Sequence, residues 1–255
     1  MSDLLPLKEH IIYGPVRSRR LGRSLGINLL PPGEKWCTFD CLYCQYGLTP
    51  SIEGALSEKR RNIPSVENVV QAVETALREL DEPPAYLTFS GNGEPTLHPD
   101  FPRIVEAVRI LRDRLVPDAK TALLSNSSRT GEAIIRAAIS RLDRPILKLD
   151  AGNEIVFRSF SRPRAEIRYD DIIAGLEAMR GITLQSLFCA GPHGNLEEDH
   201  IADWIDKVKQ IWPRDVQIYT ISRPVPTKTL EQAPAAAMLG IRDRVQRAGI
   251  PAGVF

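Results

Sequence analysis

Residues 24–47 read SLGINLLPPGEKWCTFDCLYCQYG: an apolar strand, a proline-glycine turn, then a loop holding three cysteines. The segment 24–31 has the length and composition of a buried strand, and the two prolines and glycine end it. The cysteine loop therefore lies at the C-terminal end of that strand. Cys37, Cys41 and Cys44 sit there with the spacing C-x3-C-x2-C, whereas the fourth cysteine, Cys189, stands far down the chain. Cys189 lies on an apolar strand beside Phe188 and reads as a core residue.

The same strand-then-loop unit recurs. Further strands are expected at 85–90, 120–125, 145–150, 183–190 and 216–221, and helices at 65–80, 101–115, 131–141, about 170–180, 197–212 and 231–248. In the first helix Val66, Val69, Val70, Val73, Leu77 and Leu80 share one face and Ser65 is placed to cap it. In the second, Asp100 is placed to cap. Alternating strands and helices imply a parallel sheet with right-handed crossovers. The expected fold is α/β, a partial (β/α)6 TIM-like barrel spanning 24–226. A short N-terminal extension (1–23) precedes it and a C-terminal helical segment (227–255) completes the chain.

In such a sheet the working loops lie beyond the C-terminal strand ends. The chemically unusual stretches all fall there. The cysteines come after the first strand, GNGEPTLHP after the second, NSS after the third, DAGNE after the fourth, GPHGN after the fifth and SRPVP after the sixth. Their collection on one rim argues for a site.

Bulk properties narrow the class. The 255 residues carry a net charge of +1, so no whole-molecule field steers a polyanion. No apolar run approaches the roughly 20 residues that cross a bilayer, and the N-terminus lacks a signal-peptide pattern. A cytoplasmic location without membrane contact is expected. Thiols there stay reduced, so clustered cysteines point to a metal. Thiolates suit zinc and iron–sulfur clusters. A structural zinc wants four ligands. Asp40 and His10 are candidates for the fourth, but Cys41 crowds Asp40 and no second CxxC exists. A [4Fe–4S] cluster fits better, because three thiolates hold three irons and leave one open.

The cysteine motif, with Tyr43 just before its last member, resembles the signature of the radical S-adenosylmethionine (SAM) superfamily. SGNGEPTLHP (90–99) resembles that superfamily's glycine-glutamate-proline motif. YGPVRSRRLGRSLGINLLPP (13–32), TFDCLYCQYG (38–47), KLDAG (148–152) and YTISRP (219–224) resemble the small Fe–S oxidoreductases related to the wybutosine-synthesis radical enzymes. The resemblance implies that Cys37, Cys41 and Cys44 ligate a [4Fe–4S] cluster whose open iron binds SAM. One electron then breaks the sulfonium bond, and the 5′-deoxyadenosyl radical takes a hydrogen atom from the substrate. It places Tyr43 beside the adenine and assigns Gly91, Asn92, Gly93 and Glu94 to the methionine ammonium. Ser125 and Asn126 would serve the ribose or the carboxylate, and Gly191 and Asn195 the adenine. Lys148 and Asp150, ending the fourth strand, are the expected catalytic pair.

Arginines concentrate locally. Arg17, Arg19, Arg20 and Arg23 lie in RSRRLGRS, Arg158, Arg162, Arg164 and Arg168 after the fourth strand, and Arg223 on the last rim loop. Guanidinium forks recognise carboxylates and phosphates. Arg17, Arg19, Arg20 and Arg223 are the substrate candidates, and the substrate expected is an anion, either a phosphorylated small molecule or a nucleic acid. The related wybutosine enzymes carry further N-terminal cysteines, and none precedes Cys37 here. One cluster and an external flavodoxin- or ferredoxin-like electron donor are therefore expected. Competing readings are a tRNA-base-modifying enzyme, a glycyl-radical-activating enzyme, an RNA-binding protein with an incidental cluster, and a non-enzymatic metal-binding structural or electron-transfer protein.

Overall fold

A computed structural model describes residues 4–49 and 62–255. An eight-stranded sheet organises the chain. β1 (Ile12–Ser18) and β2 (Gly22–Ile27) form an antiparallel hairpin at one edge. From β2 the order follows the sequence and every pairing is parallel: β3 (Tyr86–Phe89), β4 (Lys120–Ser125), β5 (Arg144–Lys148), β6 (Thr183–Leu187), β8 (Asp215–Tyr219) and β10 (Ala252–Val254). β7 (Cys189–Ala190) and β9 (Glu231–Gln232) make a separate two-stranded piece. The barrel is open, since β1 and β10 do not pair with each other.

Helices α1 (Val66–Glu79), α2 (Phe101–Leu115), α3 (Ala133–Ile139), α4 (Tyr169–Glu177), α5 (Glu198–Ile211) and α6 (Ala235–Arg247) fill the crossovers. The Ser65 side chain caps α1 by accepting from the Asn68 amide at 3.2 Å. Asp100 makes no such cap, because its carboxylate pairs with Arg103 one turn on, at 3.1 Å. Val69, Val73 and Leu77 are the buried face of α1, and each such side chain contributes about 1.5–3 kcal/mol.

The parallel strands alternate, which buried parallel strands usually do not. Leu25, Ile27, Leu87, Phe89, Leu123, Leu147, Val216 and Ile218 join the large core. Their neighbours in the strands point the other way, into the concave inner face. Ser24 bonds Thr88 there at 2.7 Å and Gln185 bonds Gln217 at 3.0 Å. The ring of Tyr13 lies against Gly26, where a Cβ would come within 2.1 Å of it. Leu21, from the β1–β2 turn, packs on Ala122 and Ile146 with Tyr86 and Leu124 beside it, and so floors the concavity.

Several expectations change. The helix expected at 231–248 begins only at Ala235, because Glu231–Gln232 form β9 against β7. Residues 12–18 and 252–254 are strands, not read as such in the sequence. The strand expected at 183–190 breaks in two at Phe188, whose amide bonds the Tyr219 carbonyl at 2.9 Å.

Candidate radical-SAM active site

Cys37, Cys41 and Cys44 lie beyond the C-terminal end of β2, each half-buried and free. Two sets of backbone bonds fix their loop. Trp36 donates to the Asn92 carbonyl at 2.8 Å and accepts from the Glu94 amide at 2.9 Å, which ties the cysteine loop to the glycine loop after β3. Asp40 donates its amide to the Arg162 carbonyl at 3.0 Å and Leu42 donates to Phe160 at 3.2 Å, which ties it to the segment after β5. Burial pushes the Cys37 thiol up to about 12 and also raises Cys41, with the neighbouring thiols adding to the shift at Cys41. The three groups are thus close enough to repel one another as thiolates.

Asp40, one candidate for a fourth ligand, has its carboxylate engaged by the Thr49 amide at 2.6 Å and by Arg162 at 3.3 Å. Among the described residues no three His, Cys, Asp or Glu side chains converge on a single metal position. A cubane cluster has a different requirement, because each thiolate binds its own iron. Three neighbouring thiols on a stitched loop suit that group.

Glu94 is fully buried. Its Oε1 accepts from the Thr96 amide (3.0 Å), the Thr96 hydroxyl (2.6 Å) and Ser125 (2.9 Å), and its Oε2 accepts from the Asn126 amide (2.6 Å). Burial raises its pKa against the pull of those four bonds. Glu94 therefore braces the loop ends, and Ser125 spends its hydroxyl on it. Gly91 and Gly93 have φ of +140° and +138°, and a Cβ on Gly93 would lie 1.7 Å from the Trp36 carbonyl oxygen. Asn92 turns away from the cysteines. Its amide group accepts from the Lys8 amide at 2.7 Å and donates to the Lys8 and Pro31 carbonyls at 2.8 and 3.1 Å.

Asn126 does face the cysteines. Its side-chain nitrogen donates to Cys37 Sγ at 3.4 Å and to Thr38 Oγ1 at 2.8 Å. Asn195 is consumed structurally, accepting from the Cys189 amide and donating to the Asp150 and Leu187 carbonyls, each at 2.9 Å. Gly191, with φ of +96°, lies where a Cβ would meet the Thr229 carbonyl at 2.4 Å.

Lys148 and Asp150 come together as expected, 3.2 Å apart. The Lys148 ammonium donates to the Tyr219 hydroxyl at 2.6 Å and lies 4.9 Å from the ring centres of both Tyr43 and Tyr219. Asp150 accepts from the Tyr43 hydroxyl and, at 2.8 Å, from the Leu187 amide. Burial works against the ammonium, but Asp150 and Tyr219 outweigh it and raise the Lys148 pKa. Tyr43 thus contributes its ring and hydroxyl. Tyr219 was missed by sequence reading, although it opens the YTISRP motif and ends an inward-alternating strand. Of the arginines, Arg17, Arg19 and Arg223 are exposed and Arg20 is half-buried over Tyr219.

An open α/β barrel with three thiols on its C-terminal rim, joined through Tyr43 to a lysine–carboxylate–tyrosine network, has the architecture of the partial-barrel enzymes. The chain belongs to the radical SAM superfamily, whose sequence profile matches residues 35–205. A UPF0026 protein of Methanocaldococcus jannaschii is 34% identical over 87% of this chain and 66% of its own length. The chain spans from about a third to two thirds of the first curated relatives it matches. A radical SAM methyltransferase from Sphaerobacter thermophilus superposes with a TM-score of 0.66 at 15% identity, covering 91% of this chain and 65% of that one. TYW1 with a bound lysine–pyruvate adduct gives 0.56 at 16%, covering 88% and 73%. The cofactors of the superfamily are a [4Fe–4S] cluster and SAM. No helix among the described residues is long and apolar enough to cross a membrane.

Proposed function

We propose that this protein holds a [4Fe–4S] cluster on Cys37, Cys41 and Cys44 and abstracts a hydrogen atom from an anionic substrate seated in the concave face below. When bound, the cluster supplies the electron that splits SAM into methionine and a 5′-deoxyadenosyl radical. The observation that carries this reading is the contact that the cysteine loop makes, through Tyr43, with Lys148, Asp150 and Tyr219 at the neighbouring strand ends, where Lys148 lies between two aromatic faces. Lys148 stays an ammonium and offers a hydrogen-bond donor to a substrate oxygen. Asp150 orients it, and Tyr43 locks Asp150.

TYW1 carries a lysine–pyruvate adduct in its structure, which raises the same chemistry for Lys148. The geometry speaks for a different role, because the ion pair with Asp150 keeps the amine protonated and therefore poorly nucleophilic. The electron comes from an external flavodoxin- or ferredoxin-like donor. The test is 5′-deoxyadenosine formation by anaerobically reconstituted, dithionite-reduced protein. Wild type is expected to form it and Cys41→Ala to form none. Wild type that forms none sinks the reading.

A further inference from the structure

Among the described residues, the concave face holds a positive charge that no carboxylate pairs with. Arg20 leaves the β1–β2 turn and lays its guanidinium 5.0 Å from the Tyr219 ring centre. Three other arginines with sheltered side chains have carboxylates: Arg112 meets Asp143 at 2.8 Å, Arg129 meets Glu132 at 2.5 Å and Arg144 meets Asp215 at 2.9 Å. Among the described residues Arg20 makes no ion pair, and its guanidinium rests on the Tyr219 ring. Burial pulls its pKa down, Tyr219 opposes the shift and Arg19 adds to it. Nearby, Lys148 is matched by Asp150, so among the described residues Arg20 is the charge left over from that pair.

The concave face around this charge is mixed, with Lys148 and the Tyr219 hydroxyl on one side and a small apolar cluster beside the turn that carries Arg20. Leu21, Ala122 and Ile146 are buried, and Tyr86 and Leu124 pack against them with part of their surface still accessible. A charge beside a small apolar patch, inside a concavity and beneath the catalytic rim, fits one kind of ligand.

We propose that Arg20 anchors the carboxylate of a small organic acid whose carbon skeleton lies against the accessible parts of Tyr86 and Leu124, with the reacting C–H turned toward the cysteine loop. The proposal rests on the radical reading above and specifies its substrate class. A carboxylate matches the guanidinium fork and cancels the one spare charge. A phosphate monoester carries about −1.5 to −2 and would be undercompensated. A nucleic-acid backbone would meet the exposed Arg17 and Arg19 instead of the sheltered Arg20.

The experiment uses reconstituted protein in a defined equimolar mixture of small mono- and dicarboxylic acids, phosphate monoesters, nucleotides and tRNA. Bound species are recovered by ultrafiltration and identified by mass spectrometry. Wild type and Arg103→Gln, a distant surface control, are expected to retain a carboxylic acid. Arg20→Gln should retain it about tenfold less or worse, as loss of a charged hydrogen bond implies. Arg20→Lys, which keeps the charge without the fork, covers the case in which Arg20→Gln fails to fold, and it too should retain less. Retention of a phosphate ester or tRNA instead, retention of nothing by wild type, or equal retention by a folded Arg20 variant overturns the proposal. The same wild-type batch is assayed for 5′-deoxyadenosine. Its formation without carboxylate retention overturns the anion site alone. Carboxylate retention without it overturns the radical reading and leaves the anion site standing.

Discussion

The side-chain amide of Asn126 donates a hydrogen bond to Cys37 Sγ at 3.4 Å, and Glu94 holds Asn126 in place through its backbone amide at 2.6 Å. The carboxylate of the glycine loop therefore reaches the thiol of Cys37, a proposed cluster ligand, through one intervening residue. Hydrogen bonds to ligating sulfur stabilise the more negative, reduced cluster. Asn126→Ala is expected to shift the cluster's midpoint potential to more negative values and to weaken cluster retention roughly 10- to 100-fold. A redox titration followed by electron paramagnetic resonance reads the first and iron content the second. An unchanged potential with full iron would show that the bond does no tuning.

Glu94→Ala leaves the Thr96, Ser125 and Asn126 donors without their acceptor. Each stranded buried donor costs about 1–3 kcal/mol, so a loss of at least ~2 kcal/mol is expected in a denaturant titration of the apoprotein. Glu94→Gln keeps acceptor capacity and should cost less. A variant as stable as wild type would contradict the bracing role.

Much of the frame was legible in the sequence. The 65–80 and 101–115 periodicities became α1 and α2 with ends shifted by at most one residue, and the segment 120–125 is β4. The three cysteines and the Lys148–Asp150 pair could be placed on one rim because strand ends in a parallel sheet share a side. What stayed hidden depended on long-range partners. β10 is three residues long and exists through its pairing with β8. Asn92 and Asn195 sit in loops where asparagine suits a ligand, and only the fold reveals that backbone groups consume both amides. Arg20 looked like one of a surface cluster until the β1–β2 turn carried it inside.

Gly93→Ala should disrupt the cysteine loop from the neighbouring strand. The new Cβ would fall 1.7 Å from the Trp36 carbonyl oxygen, at a φ of +138°. Backbone strain of about 1–3 kcal/mol is expected, together with reduced iron incorporation. Normal iron content and normal thermal stability in this variant would refute the coupling of the two loops.

Asp143 supplies a pH dependence. Burial would raise its pKa, but bonds from the Thr121 amide, Arg112 and the Thr121 hydroxyl hold it below the ordinary carboxylate value. A depressed folded pKa adds stability above the unfolded value of about 3.9, and that stability is lost as pH falls through the folded value. Asp143→Asn should therefore flatten the stability profile below about pH 4 and leave its shape at neutral pH unchanged. An acid limb identical to wild type would assign the effect to another carboxylate.

The account turns on an iron that Cys37, Cys41 and Cys44 leave open for SAM. The most direct measurement is the electron paramagnetic resonance spectrum of reduced, reconstituted protein before and after SAM is added. The account predicts iron and sulfide in equal number and a cluster signal whose g-values move on SAM addition. Bound zinc without sulfide, or a cluster signal indifferent to SAM, would contradict it.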